Sequence, residues 1–389
     1  MPTADSRWIA SWTAAPQARW DEVLDVPLAF PRQLHGHTLQ QTLRLSLGGS
    51  RARVLFSNAH GRTPLHIGAA SAGLRGDAPQ TLRFAGHASA NIAPGAVLLS
   101  DPLDGPFPVL SSLVVNLYLP EPTPCDTFHW DARQTTHLAR GDHTRSGRFV
   151  SDADFTSRLF LAAVWVEAAA ESRAVVVLAD SIADGDGSTM DANRRWPDRL
   201  AERLIVAGQS AAVLNQGVSG NRLLTDGMGI SGLARLERDV IAQPGVHTVL
   251  MALGLNDIGW PGTPQDPHRP LPELQALQLG ATQVAERCRA AGLRVIGCTL
   301  TPFGGVASAA ALERIAESQR EALRRAYNAW LRGTPVFDAV IDFANTVCDP
   351  LHPNQLQSAF DSGDHLHLND RGYLAMGDAI DLDQLWARA

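Results

Sequence analysis

The sequence predicts a chain of two domains, in which a β-rich jelly-roll or sandwich domain precedes an α/β domain with a three-layer sheet of parallel strands and helices on both faces. The length of 389 residues is about twice that of a usual domain. Short alternating apolar runs fill the first half, and longer apolar runs separated by amphipathic segments fill the second. We therefore expect a β-rich accessory domain at residues 1–170 and an α/β domain at residues 171–389.

The β-rich domain is predicted from runs whose apolar residues alternate. In residues 42–47, TLRLSL, the leucines share one face, and after a Gly-Gly-Ser turn the run ARVLF at 52–56 returns its apolar residues to a common face. These two runs favour a β-hairpin. Residues 113–119, LVVNLYL, repeat the pattern, and Pro- and Gly-rich segments such as NIAPG at 91–95 separate the runs. Many short strands joined by such turns are typical of antiparallel sandwiches and jelly rolls.

The α/β domain is predicted from apolar runs that alternate with helical segments. Near-continuous apolar strands indicate a parallel sheet covered on both faces, because each parallel connection needs a crossover. Two long segments, at residues 271–292 and 311–333, have the spacing of amphipathic helices. The predicted strands read AVVVLA, AAVLNQG, HTVLMALG, RVIGCTL and VFDAVIDF.

Composition and charge exclude several classes of function. The net charge is −7 and no run of basic residues is present, so nucleic acid is not an expected partner. The sequence contains no lysine, which excludes a Schiff-base lysine and a Walker-type phosphate loop. The four cysteines have no paired spacing, which argues against a zinc ribbon and a disulfide-built scaffold.

No apolar stretch of the sequence is long enough to span a membrane. The start, MPTADSRWIASW, lacks the basic and apolar regions of a signal peptide. We therefore expect no transmembrane segment, and a cytoplasmic protein or a mature exported protein whose leader has been removed. The pattern does not indicate an oligomeric state.

Ser181 follows the first predicted parallel strand with only Asp180 between them. Catalytic groups of open parallel sheets gather at the carboxyl ends of the strands, so Ser181 lies at the edge where such sites form. A serine at this position is also common as a helix cap or a turn residue. Three stretches at the ends of later strands favour a nucleophile: NQGVSGN with Gly220, LGLND with Asn256 and Asp257, and DSGDHLHLND with Asp364 and His367.

These residues supply what acyl transfer needs, which is a nucleophile, a base, a carboxylate that orients the base, and donors for the developing oxyanion. Ser181 is the candidate nucleophile, His367 the candidate base and Asp364 the candidate carboxylate. The candidate oxyanion donors are the backbone N–H groups of Ser181 and Gly220 and the side-chain amide of Asn256. We expect no metal and no cofactor.

The four stretches resemble the motif blocks of the SGNH, or GDSL, hydrolase superfamily. The blocks are ADSIADG, GVSGN, GLND and DHLH, in the family's order, and they cover most of residues 174–389. The segments GDGSTMDANRRWPDRLAERL and SWTAAPQ extend the resemblance to a two-domain bacterial subgroup of GDSL-like esterases. The resemblance implies an SGNH/flavodoxin-like sheet and a serine esterase of small-molecule or carbohydrate esters with short, mainly acetyl, acyl groups.

One position departs from the family, because Ala179 stands where the family has glycine before the Asp-Ser pair. At a negative φ the alanine adds only a methyl group, whereas a positive φ would cost about 1 kcal/mol of strain. A glycan-binding protein whose catalytic turn has weakened is therefore an alternative to the esterase. A lipase or thioesterase that acts on longer acyl chains is another.

Three further interpretations compete for the same residues. His365 and His367 with neighbouring aspartates suggest a metal site, although zinc needs three or four ligands and no second cluster of histidine or cysteine is present. A glycosidase needs two carboxylates, for which Asp184, Asp186 and Asp191 are candidates. An α/β-hydrolase needs a G-x-S-x-G elbow, which the sequence lacks.

Overall fold

The computed structural model describes residues 6–20, 24, 26–263, 266–306 and 311–387, with the backbone alone in 311–317. Residues 1–5, which belong to the predicted β-rich domain and to the start that lacks a signal-peptide pattern, lie outside the described residues. Residues 388 and 389, at the end of the predicted α/β domain, also lie outside them.

Antiparallel strands make up the first half of the described chain. They are β1 Ser6–Thr13, β2 Gln17–Ala18, β3 Gln33–Leu34, β4 His37–Arg44, β5 Gly49–Ser57, β6 Leu65–Ile67, β7 Ala69–Leu74, β8 Gln80–Thr81, β9 Ala90–Ile92, β10 Val97–Leu99, β11 Leu103–Phe107, β12 Ser112–Leu119, β13 Thr123–Pro124, β14 Thr127–His129, β15 Thr136–Arg140, β16 Ala153–Phe155, β17 Arg158–Leu159 and β18 Leu161–Ala169.

Two larger sheets organise these strands. One has the order β1-β18-β5-β10, with β11 also paired to β5, and the other has the order β16-β15-β4-β12-β7-β8. Three small sheets join β3 with β13, β6 with β9, and β2 with β14 and β17. The prediction of a β-rich first half is confirmed, and its arrangement as a jelly roll or a sandwich stays a prediction.

The two runs that were expected to form a hairpin lie in different sheets, so that prediction is wrong. β4 pairs with β12 and β15, whereas β5 pairs with β18, β10 and β11. Between them, Leu45 donates its N–H to Ser111, and Leu47 accepts a hydrogen bond of 2.7 Å from the hydroxyl of Ser11. The chain therefore crosses from one sheet to the other. Alternation of apolar residues predicts which face of a strand is buried, but it does not predict which strand becomes its partner.

A five-stranded parallel sheet forms the centre of the second half. All residues from Val175 to Leu178, in one of its three interior strands, are fully buried. Because successive side chains of a strand point to opposite faces, both faces of the sheet are covered, as predicted. The strands are β19 Arg173–Ala179, β20 Ala211–Gly217, β21 Val246–Ala252, β22 Arg294–Cys298 and β23 Ala339–Ile341, in the spatial order β20-β19-β21-β22-β23.

Helices alternate with these strands along the chain. They are α1 Ser181–Asp184, α2 Trp196–Val206, α3 Gly232–Leu236, α4 Leu255–Gly259, α5 Leu274–Ala290, α6 Ala311–Gly333, α7 Phe343–Val347 and α8 Asp370–Asp378, with a π-helical turn at Glu237–Ile241 and a 3₁₀ turn at Asp383–Leu385. The strand order changes direction beside β19, since β20 lies on one side of it and β21 on the other. Such a switch opens a crevice at the carboxyl ends of β19 and β21.

The β-rich half packs against β20, the edge strand of the parallel sheet. Ala10 donates its N–H to the carbonyl of Pro244, and the hydroxyl of Thr13 donates to the carbonyl of Asn215. Buried apolar side chains of both halves belong to one continuous core. The boundary at residue 170, between β18 and β19, stays a prediction. Among the described residues, no helix is both long enough and apolar enough to cross a membrane.

Candidate active site

Ser181 is the first residue of α1, directly beyond the carboxyl end of β19. Asp180 caps this helix, because its carboxylate accepts a hydrogen bond of 3.1 Å from the N–H of Ile182. Gly185 ends the helix after one turn at a φ of 107°, a left-handed conformation that glycine adopts without strain. Burial raises the pKa of Asp180 to about 7, against the opposing effect of the Ile182 hydrogen bond. The chain thus turns sharply at Ser181, in the crevice of the sheet.

Ser181, His367 and Asp364 form a hydrogen-bonded row. Nε2 of His367 lies 2.9 Å from Oγ of Ser181, and Nδ1 of His367 lies 2.6 Å from Oδ2 of Asp364. Because a carboxylate only accepts, Nδ1 carries the proton, and Nε2 of the neutral ring accepts from the hydroxyl. The structure brings the predicted nucleophile, base and carboxylate together in the geometry that general-base activation of a serine requires. Their catalytic roles stay predictions.

The loop around Asp364 fixes the charge at this end of the row. Its Oδ1 accepts from the N–H groups of Leu366 and His367, at 2.9 and 2.8 Å, and from the hydroxyl of Ser362. Partial burial opposes ionisation, but these bonds and the bond from the imidazole hold the pKa of Asp364 well below its usual range. Burial lowers the pKa of His367, yet the Asp364 hydrogen bond and the charge of Asp186 outweigh burial and raise it.

His365 has a carboxylate partner of its own. Its Nδ1 lies 2.6 Å from Oδ2 of Asp361, and its side chain is 55% exposed, against 14% for His367. A metal site at this loop would need both histidines on one ion, and they are bound to different carboxylates. The described residues contain no group of three or more histidine, cysteine or acidic side chains that could hold a metal ion.

The side-chain amide of Asn256 is fixed in one orientation. The indole N–H of Trp260 only donates and lies 2.8 Å from Oδ1 of Asn256, which identifies that atom as the oxygen. Nδ2 then donates one N–H to the carbonyl of Asn221 at 3.0 Å. Asn256 is the second residue of α4, just beyond β21, so its second N–H is an oriented donor at the same sheet edge as Ser181.

Gly220 takes a φ of 71° in the loop after β20. A Cβ at this position would lie 2.6 Å from Sδ of Met228 and 3.0 Å from the ring of Trp260, so both the backbone conformation and the packing require glycine. Across the described ranges, the N–H groups of Gly220 and Ser181 donate to no other backbone carbonyl. Each of the three predicted oxyanion donors therefore keeps a free N–H, and their joint use stays a prediction.

Asp257 supports the loop that carries Gly220. Its carboxylate is buried and accepts hydrogen bonds of 2.7 and 2.9 Å from the N–H groups of Leu223 and Leu224. Burial raises the pKa of Asp257, against the effect of these two bonds. Asp257 therefore links the loop that carries Asn256 to the loop that carries Gly220.

Ala179, the position that departs from the family, is the last residue of β19 and does not have a positive φ. The alanine therefore adds only a methyl group, without backbone strain. Its carbonyl accepts a hydrogen bond of 2.9 Å from Arg235, a buried side chain that also donates to Oδ1 of Asn221 at 3.0 Å. Sequence analysis missed Arg235, because no motif surrounds it and only the fold brings it beneath the turn at Ser181.

The three aspartates of the loop after Ser181 each have a different partner. A glycosidase needs two carboxylates that face one bond, so that interpretation gains no support. Their partners are His129 for Asp184 at 2.8 Å, the Nε2 atom of His367 for Asp186 at 3.8 Å, and the N–H and hydroxyl of Thr135 for Asp191 at 2.7 Å.

The β-rich half reaches the site through residues 129–135. His129 is buried against Asp184, and the guanidinium of Arg133 donates to the carbonyl of Ser188. No motif of the sequence predicts that either residue reaches the site. A lone histidine and a lone arginine carry no local signal, and each meets a partner 55 positions away.

Several solved structures resemble about half of the chain. A protein of the G-D-S-L family from Desulfitobacterium hafniense DCB-2 is 18% identical, covers 53% of this chain and 96% of its own length, and has a TM-score of 0.40. The native aryl esterase of M. smegmatis is 16% identical, covers 53% of this chain and 95% of its own length, and has a TM-score of 0.40. A carbohydrate acetylesterase from Sinorhizobium meliloti is 14% identical, covers 53% of this chain and 95% of its own length, and has a TM-score of 0.37. No curated protein sequence matches the chain.

A family model matches residues 180–375, which are just over half of the 389-residue chain. The match begins one residue before Ser181 and ends beyond His367, so it contains every candidate site residue. The model describes the GDSL-like lipase/acylhydrolase family. The chain therefore belongs to this family of hydrolases.

Proposed function

We propose that the chain is a serine esterase that hydrolyses short-chain acyl esters, acetyl esters above all, including acetyl esters of carbohydrates. The observation that carries the proposal is the hydrogen-bonded row of Ser181, His367 and Asp364, at 2.9 and 2.6 Å. A serine hydroxyl bonded to an imidazole, which is itself bonded to a carboxylate, is the arrangement that makes an alcohol nucleophilic near neutral pH.

In the acylation step, Oγ of Ser181 forms a bond to the carbonyl carbon of the ester while its proton moves to Nε2 of His367. The electron pair of the C=O bond moves to the oxygen, which becomes an oxyanion. Asp364 stabilises the imidazolium at Nδ1–H. When the C–O bond to the alcohol breaks, the leaving oxygen takes the proton from Nε2, and the acyl group stays on Ser181.

In the deacylation step, a water molecule gives a proton to Nε2 and bonds to the acyl carbon. The bond to Oγ then breaks, Oγ takes the proton back, and the carboxylic acid leaves. The oxyanion of both steps is stabilised by the N–H groups of Ser181 and Gly220 and by Nδ2 of Asn256. The fixed amide of Asn256 supports this assignment, because a preorganised donor costs no reorientation when charge develops.

The short acyl length is proposed from the resemblance of the four motif blocks to GDSL-like esterases of small acyl esters. We also propose that residues 1–170 form an accessory domain and residues 171–389 the hydrolytic domain, which is supported by the three-residue connection between β18 and β19.

The proposal is tested by hydrolysis of p-nitrophenyl acetate, butyrate and octanoate by the wild type and by Ser181→Ala. We expect the acetate to be the best substrate and the variant to lose activity with an unchanged melting temperature. Ser188→Ala, which removes a hydroxyl from the same loop, is the matched control and should keep its activity. A wild-type rate in Ser181→Ala would overturn the mechanism, and preference for octanoate would overturn the short-chain assignment in favour of a lipase.

A further inference from the structure

Arg133 brings a positive charge from the β-rich half to the loop that follows Ser181. Its guanidinium donates to the carbonyl of Ser188 and lies 3.9 Å from Oδ1 of Asp186. On its other side it lies 3.7 Å from Oδ2 of Asp131, a residue of its own half. The side chain of Arg133 is 19% exposed, so these contacts are largely shielded from solvent.

The backbone around Arg133 is left-handed at three positions. Arg133, Asp191 and Asn193 have φ values of 47°, 60° and 51°; aspartate and asparagine tolerate this region, whereas it is uncommon for arginine. The three are joined, because Asp191 donates its N–H to the carbonyl of Arg133, and Gln134 donates its side-chain amide to Asn193. The left-handed conformation of Arg133 persists because the surrounding structure requires it, and such conformations concentrate at functional sites.

Asp186 lies between this contact and the candidate base. Its Oδ2 is 3.8 Å from Nε2 of His367, and the next residue, Gly187, has a φ of 83°. A Cβ on Gly187 would lie 2.6 Å from the carbonyl oxygen of Leu368 and 2.8 Å from Cβ of Ser362. Glycine at this position therefore allows the loop of Asp186 to pack closely against the loop that carries His367. This packing places the Asp186 carboxylate beside the imidazole.

We propose that Asp186 is a positioning residue for His367, held in place by Arg133 of the β-rich half, and that it favours the protonated imidazole during acylation. The proposal rests on the proposed esterase function. At 3.8 Å, Asp186 is too far from Nε2 for a hydrogen bond, so it does not remove the proton that the leaving alcohol needs. Its negative charge stabilises the imidazolium that forms when Ser181 is deprotonated.

The charges around His367 come from several elements. Burial acts against protonation, and the acidic groups together raise the pKa of His367. Asp131 is a separate case, because its carboxylate contacts the guanidinium of Arg133. Burial raises the pKa of Asp131 to about 6. The other groups are Asp364 on the histidine's own loop, Asp180 before α1, Asp186 after α1, and Tyr373 of α8, whose hydroxyl donates to the Asp186 carbonyl.

The test is the pH dependence of kcat/KM for p-nitrophenyl acetate, which reports the pKa of the base in the free enzyme. In Asp186→Asn we expect the acid limb to move to lower pH, because a lost negative charge lowers the pKa of His367, and the alkaline plateau to fall. In Arg133→Gln the limb should also move to lower pH, because Asp186 is no longer held beside the imidazole. Arg133→Lys, which keeps the charge, should restore the wild-type limb.

Asp191→Asn is the matched control. Asp191 lies on the same loop and also binds the β-rich half, but its carboxylate contacts Thr135. We expect its acid limb to stay where the wild type has it. A lower plateau with an unmoved limb in Asp186→Asn would mean structural damage alone and would overturn the proposal. Activity retained by Ser181→Ala would instead refute the esterase mechanism, so the two failures are distinguishable.

Discussion

His129 and Asp184 form a buried hydrogen bond of 2.8 Å that joins the β-rich half to the helix beginning at Ser181. The other ring nitrogen of His129, Nδ1, lies 3.0 Å from the carbonyl of Ala15. A carbonyl and an ionised carboxylate only accept, so both ring nitrogens carry protons. Burial lowers the pKa of His129, but the charge of Asp184 and its hydrogen bond outweigh burial and raise it. The contact is therefore a buried ion pair.

Replacing His129 with leucine should lower the free energy of unfolding by about 3–5 kcal/mol, because Asp184 would remain buried without its cation. Urea unfolding of the full chain at pH 6.5 measures this loss. His137→Leu is the matched control, since Nδ1 of His137 lies 2.7 Å from a carboxylate oxygen of Asp154 at the surface. An exposed pair contributes about 0–1 kcal/mol. Equal, small losses in the two variants would contradict a stabilising role for the buried pair.

The raised pKa of His129 also sets the sign of a pH dependence. Its contribution to stability is fully present below the ordinary value of 6.5 and is lost as the pH rises through the raised value. The free energy of unfolding of the wild type should therefore fall above pH 6.5, and it should fall less in His129→Leu. Part of the fall should remain in the variant, because the pKa of His367 is raised as well.

The candidate site was predictable because its residues are tied to strand ends. Ser181 lies two positions after the end of β19 and Asn256 four positions after the end of β21, and these two strands are neighbours in the sheet. Asp364 and His367 are three residues apart, so their hydrogen bond forms within one loop. Local sequence and the geometry of a parallel sheet bring Ser181 and Asn256 to one edge and pair Asp364 with His367. The position of that pair beside Ser181 depends on packing, because its loop lies well beyond the end of β23 at Ile341.

The contributions of the β-rich half were not predictable in the same way. The alternation in β4 and β5 gave their burial correctly, but their partners are strands far along the chain. Likewise, His129 meets Asp184 across 55 residues, and Arg235 meets Ala179 across 56. No periodicity encodes such pairs, because they depend on how the two halves pack.

Removing the amide of Asn256 should reduce kcat on p-nitrophenyl acetate by about 10²–10³, the usual effect of losing one oxyanion donor. KM should change little, because the charge that the donor stabilises exists only in the transition state. Both Asn256→Ala and Asn256→Asp should show this loss, since the aspartate keeps the shape but has no N–H to donate. Steady-state kinetics of folded protein, checked by melting temperature, make the measurement.

Trp260→Phe tests the orientation of the Asn256 amide separately from its ability to donate a hydrogen bond. The indole N–H fixes the amide of Asn256 at 2.8 Å, and phenylalanine removes that hydrogen bond while it keeps an aromatic ring. We expect a smaller loss than in Asn256→Ala, because the donor is still present but free to rotate. An unchanged kcat in Asn256→Ala would remove Asn256 from the site, whatever the effect at Trp260.

Replacing Asp364 with asparagine should lower kcat by up to about 10⁴, by analogy with the same change in a serine–histidine–aspartate triad. The neutral amide no longer stabilises the imidazolium and no longer fixes the proton on Nδ1. Because hydrogen bonds hold the pKa of Asp364 well below its usual range, the carboxylate is ionised throughout the neutral range, and the full loss should appear on the alkaline plateau. The acid limb should move to lower pH, because the pKa of His367 falls when the charge of Asp364 is removed.

The loop contains its own control for this substitution. Asp361 binds Nδ1 of His365 at 2.6 Å, the same distance at which Asp364 binds His367, and it also accepts from backbone N–H groups. Because only His367 is bonded to Ser181, Asp361→Asn should keep kcat within about tenfold of the wild type. If Asp361→Asn were as damaging as Asp364→Asn, the loss would reflect the shape of the loop and not the charge beside the base.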